Sequence, residues 1–249
     1  MMFFLLTGCA NTIPLNNQSA TEHTDLNATA VDSVYYLVSD NEENLISIKM
    51  PYIENMSEAE NSFVQKFVHK KLEEMTGTTF ALTASKKGTE EIGTNYSQYC
   101  IIIESQVTQN IDTHTSIVFT GFYNKQGSAH PIDWLFSINY NRKTLQEILF
   151  SKKYVINAEL YSIFSDYATS AIKEECGGTW PTGWGSFSET LCSQEAFLSG
   201  MNSEMEFCYY MQDGDVIISY PVAHTAGDHK EVKIPNNKLV QKTGDGSLS

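Results

Sequence analysis

The chain has 249 residues, enough for one large domain or two small intertwined ones, each with its own core. Hydrophobic residues make up 41% and charged residues 18%, and 30 acidic against 16 basic residues leave a net charge of −14. That balance lacks the cationic footprint with which a nucleic-acid binder neutralises phosphates, so no nucleic acid is expected as partner and basic partners are favoured. No run of about 20 apolar residues occurs, so no membrane-spanning helix is expected either.

Residues 1–8 read Met-Met-Phe-Phe-Leu-Leu-Thr-Gly, and Cys9 follows. An apolar stretch and a small residue before the cut are two marks of a secretory signal peptide. The third, a basic head, is missing, because the first lysine is Lys49. Leu6-Thr7-Gly8-Cys9 resembles the lipobox of bacterial lipoproteins, in which the cysteine is lipidated and becomes the new first residue. The resemblance implies a start upstream of Met1, a signal remnant over residues 1–9 and an extracytoplasmic chain held to the cell membrane by its lipid alone. Residues 10–31, rich in Asn, Thr, Ser and Ala and without period, read as a flexible tether. Two acyl chains on Cys9 suffice for stable anchoring where one is marginal.

Beyond the tether the pattern predicts an N-terminal α+β subdomain over residues 32–135 and a C-terminal one over 136–240, with a loose tail at 241–249. Residues 33–40 and 45–53 carry β-branched and aromatic runs and read as strands, with Asp40-Asn41 turning between them. Ser57 with Glu60 three residues on has the capping-box pattern. Phe63, Val64, Phe67, Val68, Leu72 and Met75 then line one face of a helix that Gly77 stops. Strands follow at residues 101–103, 116–122 and 132–140, with hairpin connections placed at Gln109-Asn110 and 124–127. A second helix is predicted over 158–174, on a stripe from Leu160 to Ile172, and the residues after it read as a loop. Strands at 206–211 and 216–220 are joined by Asp213-Gly214, a hairpin signal, and a last strand at 231–234 ends at Pro235. The fold class predicted is α+β: antiparallel β-sheets with two long amphipathic helices packed on one face.

With Cys9 lipidated, Cys100, Cys176, Cys192 and Cys208 remain, an even number that in an exported chain suggests disulfides with three possible pairings. Cys176 and Cys192 bracket a Gly-, Trp- and Pro-rich loop, which favours that pair and leaves Cys100 with Cys208. A bridge of this size would contribute about 3 kcal/mol. Four reduced thiols are the competing reading. No Cys-x-x-Cys occurs, which argues against a structural zinc site or a thioredoxin-like motif, and no metal or cofactor is expected.

Two segments carry a family resemblance. The first is Gly127-Ser128-Ala129-His130-Pro131 with Asn139-Tyr140-Asn141-Arg142-Lys143-Thr144-Leu145 and Ile148-Leu149-Phe150. The second is Asp213-Gly214-Asp215-Val216-Ile217-Ile218-Ser219-Tyr220 with Ala223, Gly227 and Val232-Lys233-Ile234-Pro235. Together they resemble the extracytoplasmic domain of unknown function shared by RsiV-type anti-sigma factors, which sense lysozyme, and PdaC-type peptidoglycan deacetylases. Asn141 stands where that family often has Asp, Leu145 replaces a turn glycine, and the insertion around Trp180 and Trp184 lies outside its pattern. The resemblance implies a place outside the cell membrane and a role in envelope sensing or protein binding. The deacetylase activity belongs to a separate domain, so the resemblance implies no catalysis. On its own residues, His130 before Pro131 reads as a turn-to-strand residue capping backbone groups, with Gly127 free to take positive φ.

Other chemistry is weaker. Ser170-x-x-Lys173, Ser39-Asp40-Asn41 and Lys242-Thr243-Gly244 mimic penicillin-binding enzymes but stand in the wrong order. His224, Asp228 and His229 lack metal-ligand spacing and read as a polar loop beside Gly227. The loop from Gly177 to Gly185 holds Trp180 and Trp184, whose flat faces suit stacking on sugar rings or anchoring a protein partner. The function expected is a non-catalytic binding or sensing module for a basic envelope protein, lysozyme-like for example. The alternative is a peptidoglycan or carbohydrate binder using Trp180 and Trp184.

Overall fold

Runs of β-branched and aromatic residues become strands and the two apolar stripes become long helices in a computed structural model that describes residues 35–40, 43–87, 96–203, 207–223 and 227–242. Seven strands form one sheet: β1 (Tyr36–Asp40), β2 (Asn44–Lys49), β3 (Thr83–Ser85), β4 (Tyr99–Ile111), β5 (His114–Lys125), β6 (Ile132–Asn141) and β7 (Gln146–Glu147). Their order is β3-β1-β2-β4-β5-β6-β7. A smaller antiparallel sheet runs β10-β9-β8, from β8 (Cys208–Gln212), β9 (Asp215–Pro221) and β10 (His229–Ile234). The long helices are α1 (Glu58–Thr76) and α3 (Ala158–Glu175); α2 (Phe150–Lys153), α4 (Phe187–Thr190) and α5 (Gln194–Ser203) are shorter. The class is α+β, as the sequence predicts. One pairing, β2 with β4, is parallel. The chain between those strands includes α1, the kind of long crossover that parallel neighbours need.

Local signals set the helix ends. Ser57 Oγ accepts the Glu60 N–H at 3.1 Å, and Gly77 closes α1 in the left-handed region at φ 68°, its N–H donating to the Glu73 carbonyl. Val64, Phe67, Val68 and Leu72 bury against Ile46, Ile48, Ile101, Ile103, Ile117, Phe119, Phe136 and Ile138. On β4, β5 and β6 these are alternate residues, so one face of the sheet carries the core. Each such side chain taken out of water contributes about 1.5–3 kcal/mol. α3 covers the small sheet in the same way. Leu160, Phe164, Ala168 and Ile172 meet Val216, Ile218, Tyr220, Val232 and Ile234, and the Phe164 ring stacks on Phe197 at 4.3 Å.

The other face of the large sheet carries buried Ser116, Ser137 and Asn139, which hydrophobic patterning does not explain. Their partners do. The outer edge of β8 lies on them: the Tyr209 carbonyl accepts from Ser137 Oγ and Asn139 Nδ2, each at 2.6 Å. The Met211 N–H donates to Ser116 Oγ at 2.9 Å, and that hydroxyl donates to Asn139 Oδ1 at 2.6 Å. A strand edge that would otherwise be buried unsatisfied is closed by side chains instead of by another strand.

Two predicted connections differ. The turn placed at Gln109-Asn110 is strand, because a bulge between Val107 and Gln109 lets β4 run on to Ile111. The stretch predicted as a loop after α3 contains α4 and α5. In α5 only Phe197 and Met201 are buried, too few to show a helical period in the sequence.

Candidate functional site

The site grows out of the free edge of β6. Antiparallel pairing with β5 directs the backbone groups of alternate β6 residues inward and leaves those of 133, 135, 137, 139 and 141 pointing outward. Four bonds along the strand confirm this parity. Outward carbonyls of Asn141 and Asn139 accept the N–H groups of Leu145 and Ile148, at 2.8 and 2.7 Å. The Asp133 N–H donates to Asp228 Oδ2 at 2.8 Å, and the Cys208 thiol lies 3.9 Å from the Leu135 carbonyl. β7 is only two residues long, so it covers one end of the edge and Asp228 the other. Between them the Leu135 N–H and both backbone groups of Ser137 have no partner among the described residues.

This open stretch forms the floor of a cleft of about 680 Å³, within the range of ligand pockets. One wall is the last half of α1, with Phe67, Lys70, Lys71, Glu74 and Met75; the other is Asn202, Ser203, Phe207, Cys208 and Tyr209. The Tyr209 hydroxyl donates to the Ile148 carbonyl and ties the β7 side to β8. At the other end of α1, Glu60 is 3% exposed, and its carboxylate accepts from Arg142 Nε at 2.9 Å, Arg142 NH2 at 3.1 Å and the Tyr140 hydroxyl at 2.8 Å. The expected capping box is therefore half formed: Glu60 reaches β6 rather than back to Ser57, and this bidentate clamp fixes the α1 wall.

Charge in the cleft is unevenly satisfied. Glu74 holds Lys71 at 2.9 Å and Lys70 at 3.3 Å. Burial alone would raise its pKa, but the hydrogen bonds and charges of the two lysines bring it below the ordinary carboxylate value. The Glu147 carboxylate has no hydrogen bond or ion pair among the described residues. The protein crowded around it raises its pKa, against the pull of Lys71 and Lys70 and with a smaller push from Glu74. Cys208 lies deep in the same cleft, where burial lifts its thiol to about 12, so it is protonated and poorly nucleophilic.

The sequence-predicted residues lie elsewhere. Trp180 packs against the α3 core and its Nε1–H donates to the Gly185 carbonyl at 2.8 Å. Trp184 is 37% exposed and meets Trp180 edge-on with centroids 5.8 Å apart. Of the pair, only Trp184 is an exposed aromatic. Its loop is closed by Ser186, whose N–H and hydroxyl both donate to Glu189 Oε2 at 2.8 Å.

Cys100, Cys176, Cys192 and Cys208 are free thiols, and neither expected pairing is brought together. The Tyr161 hydroxyl donates to the Cys192 carbonyl at 2.8 Å, beside the start of α3, whereas Cys176 caps the far end, about 20 Å along the axis. Cys208 lies over Leu135, whose register partner two strands away on β4 is Glu104. Cys100 is about 13 Å further along β4, beyond the roughly 7 Å that a bridge spans between Cα atoms.

Gly127, Gly214 and Gly227 take positive φ, at 88°, 84° and 100°, so the family-motif glycines are turn residues. His130 and Pro131 stand just before β6, and Pro235 opens a 3-10 turn over Asn236–Lys238. Ser170 Oγ donates to the Asp166 carbonyl within α3, and Lys242 Nζ donates to the Ser151 carbonyl. Cys9, the tether, His224 and residues 243–249 lie outside the described residues. Among the described residues no group of three or more His, Cys, Asp and Glu is placed to hold a metal ion, and no helix is long and apolar enough to cross a membrane.

No family model matches the chain, and no curated protein does. Among solved structures it is similar to a DUF3298 family protein of Pseudomonas aeruginosa, at 17% identity and a TM-score of 0.45, over 87% of this chain and 92% of that one. It is similar to a DUF3298 member from Bacteroides fragilis at 14% identity and a TM-score of 0.40, over 83% of this chain and 84% of that one. Both of these solved structures are of DUF3298 family proteins.

Proposed function

We propose that this chain is a non-catalytic binding or sensing module of the bacterial envelope, anchored by a lipid on Cys9 and holding a basic protein ligand in the cleft between α1, β6–β7 and β8. The observation that carries the reading is that cleft: about 680 Å³, walled by Phe67, Met75, Phe207 and Leu149, and lined by Glu147, a carboxylate with no ion pair among the described residues. Apolar walls with a few fixed polar groups are what a binding site needs. The net charge of −14 would steer a basic partner toward it. The lipobox-like Leu6-Thr7-Gly8-Cys9 supports the address, and the resemblance to RsiV-type and PdaC-type domains supports a lysozyme-like ligand.

The test is a calorimetric titration of the full chain, carrying Cys9→Ser, with a basic lysozyme at low and at physiological salt. Binding that persists at physiological salt is expected of a specific interface; binding confined to low salt reduces the acidic charge to steering and removes the reading.

Trp184 favours a second reading, a module for peptidoglycan or carbohydrate fragments, because its indole is exposed and braced by Trp180. Trp184→Ala should then abolish binding of chitin oligosaccharides and leave lysozyme binding unchanged. Sugar binding that survives the substitution sinks this alternative.

A further inference from the structure

We propose that the open stretch of the β6 edge takes an extended polypeptide segment from another protein as an added strand, its side chains alternating between basic and apolar. The inference rests on the binding-module reading and names the chemistry of its ligand. Its ground is the backbone. The Leu135 N–H and the Ser137 N–H and C=O point into the cleft at the spacing of an antiparallel or parallel ladder, and no described group bonds to them. Exposed strand edges are templates for pairing, and proteins ordinarily blunt them. This edge is blunted at Asp133, by Asp228, at the Leu135 carbonyl, by Cys208, and at Asn139 and Asn141, by the segment around β7, while the Leu135 N–H and both backbone groups of Ser137 stay open. That span is roughly 10 Å, room for about three residues of strand.

The walls set the side-chain pattern. Residues of an added strand point alternately to the two faces of the sheet. On the α1 side they meet Lys70, Lys71 and Glu74, which pair with one another, and Glu147, whose carboxylate has no hydrogen bond or ion pair among the described residues. On the β8 side they meet Phe207 and the protonated Cys208. A basic residue toward Glu147 and an apolar one toward Phe207 satisfy both. Strand addition of this kind draws affinity from main-chain bonds and specificity from alternate side chains.

The experiment uses the full chain carrying Cys9→Ser, labelled with nitrogen-15, and two capped heptapeptides of alternating valine and lysine. One is unmodified; in the other the alternate amides that would face β6 are N-methylated, which keeps the side chains and removes the donors. The unmodified peptide should bind and slow amide exchange of Leu135 and Ser137 by about tenfold or more, while the methylated one should not. Glu147→Gln should weaken the unmodified peptide several-fold. Equal binding of both peptides, unchanged exchange at Leu135 and Ser137 under saturation, or no binding up to about millimolar peptide would overturn the proposal. Slowing that rises with protein concentration alone would also overturn it, by assigning the edge to a second copy of the chain. If lysozyme binds at physiological salt while these two amides do not respond to either ligand, strand addition falls and the module reading stands. If the peptide protects them and lysozyme does not bind, the lysozyme reading falls instead.

Discussion

At the scale of single residues, the stable features of this protein are buried polar groups with named partners. Glu60 is the clearest case. Arg142→Met would leave its carboxylate, 3% exposed, facing only the Tyr140 hydroxyl, and should cost about 3–5 kcal/mol in urea unfolding. Adding Glu60→Leu should recover part of that loss, because the stranded charge is then gone. His114 is the opposite case. It is 8% exposed with Nε2 unpartnered, and burial, helped by the Lys153 charge and opposed by a hydrogen bond with Asn139, lowers its pKa to about 4. The unfolded chain takes up that proton near 6.5 and the folded one only near 4. The folded state is therefore fully favoured above about pH 6.5 and loses about 3 kcal/mol as pH falls from there to about 4, with no further loss below. His114→Leu should flatten that part of the stability profile; an unchanged slope would assign it to carboxylates. Neither residue was legible in the sequence. Glu60 carried a local reading, the capping box, that competed with a partner 82 residues away. His114 stood in a run that shows only alternation.

At the scale of elements, local signals were legible and long-range ones were not. Ser57 and Gly77 bound α1, and Asp213-Gly214 turns β8 into β9 with both residues at positive φ, because caps and tight turns are written in adjacent residues. The docking of β8 was hidden, because Ser116, Ser137 and Asn139 look like solvent-facing positions until the β8 edge is laid across them. Ser116→Ala should leave the Met211 N–H without its partner and cost about 1–3 kcal/mol, seen as faster amide exchange along β8. β4 and β5 approach so closely at Gly121 that a Cβ there would lie 2.0 Å from the Ile102 carbonyl oxygen. Gly121→Ala should therefore cost about 1–3 kcal/mol, read as a lower urea midpoint, since a backbone atom cannot swing aside as a side chain does. The pairing of Cys176 with Cys192 failed at this scale too: a bracketed loop in sequence says nothing about which end of α3 each cysteine occupies.

At the scale of the whole molecule, the cleft draws on residues of α1 between Phe67 and Met75, of β6 and the segment around β7 between Leu135 and Leu149, and on Asn202, Ser203, Phe207, Cys208 and Tyr209, which no local pattern connects. The sequence pointed instead to Trp180 and Trp184, because aromatic residues in a Gly-rich loop are conspicuous, and the fold commits half of that pair to the core. Composition remained informative: a net charge of −14 is a property of the entire surface, and it fits an account in which basic ligands are steered to the cleft. The proposed address rests on the lipobox-like Cys9, and Cys9→Ser should abolish fatty-acid labelling of the chain when a full upstream signal is supplied. Labelling that survives the substitution would remove Cys9 as the anchor.

If the ligand sits in this cleft, filling the cleft should displace it. Asn202 lies on the α5 wall with its side chain turned to the Leu198 carbonyl, so Asn202→Trp should occupy the volume without disturbing either core. The measurement is the affinity of wild type and Asn202→Trp for a basic lysozyme at physiological salt, with thermal unfolding recorded for both. A loss of about tenfold or more at unchanged melting temperature is the result predicted; equal affinity in the two proteins would place the interface elsewhere and contradict the account.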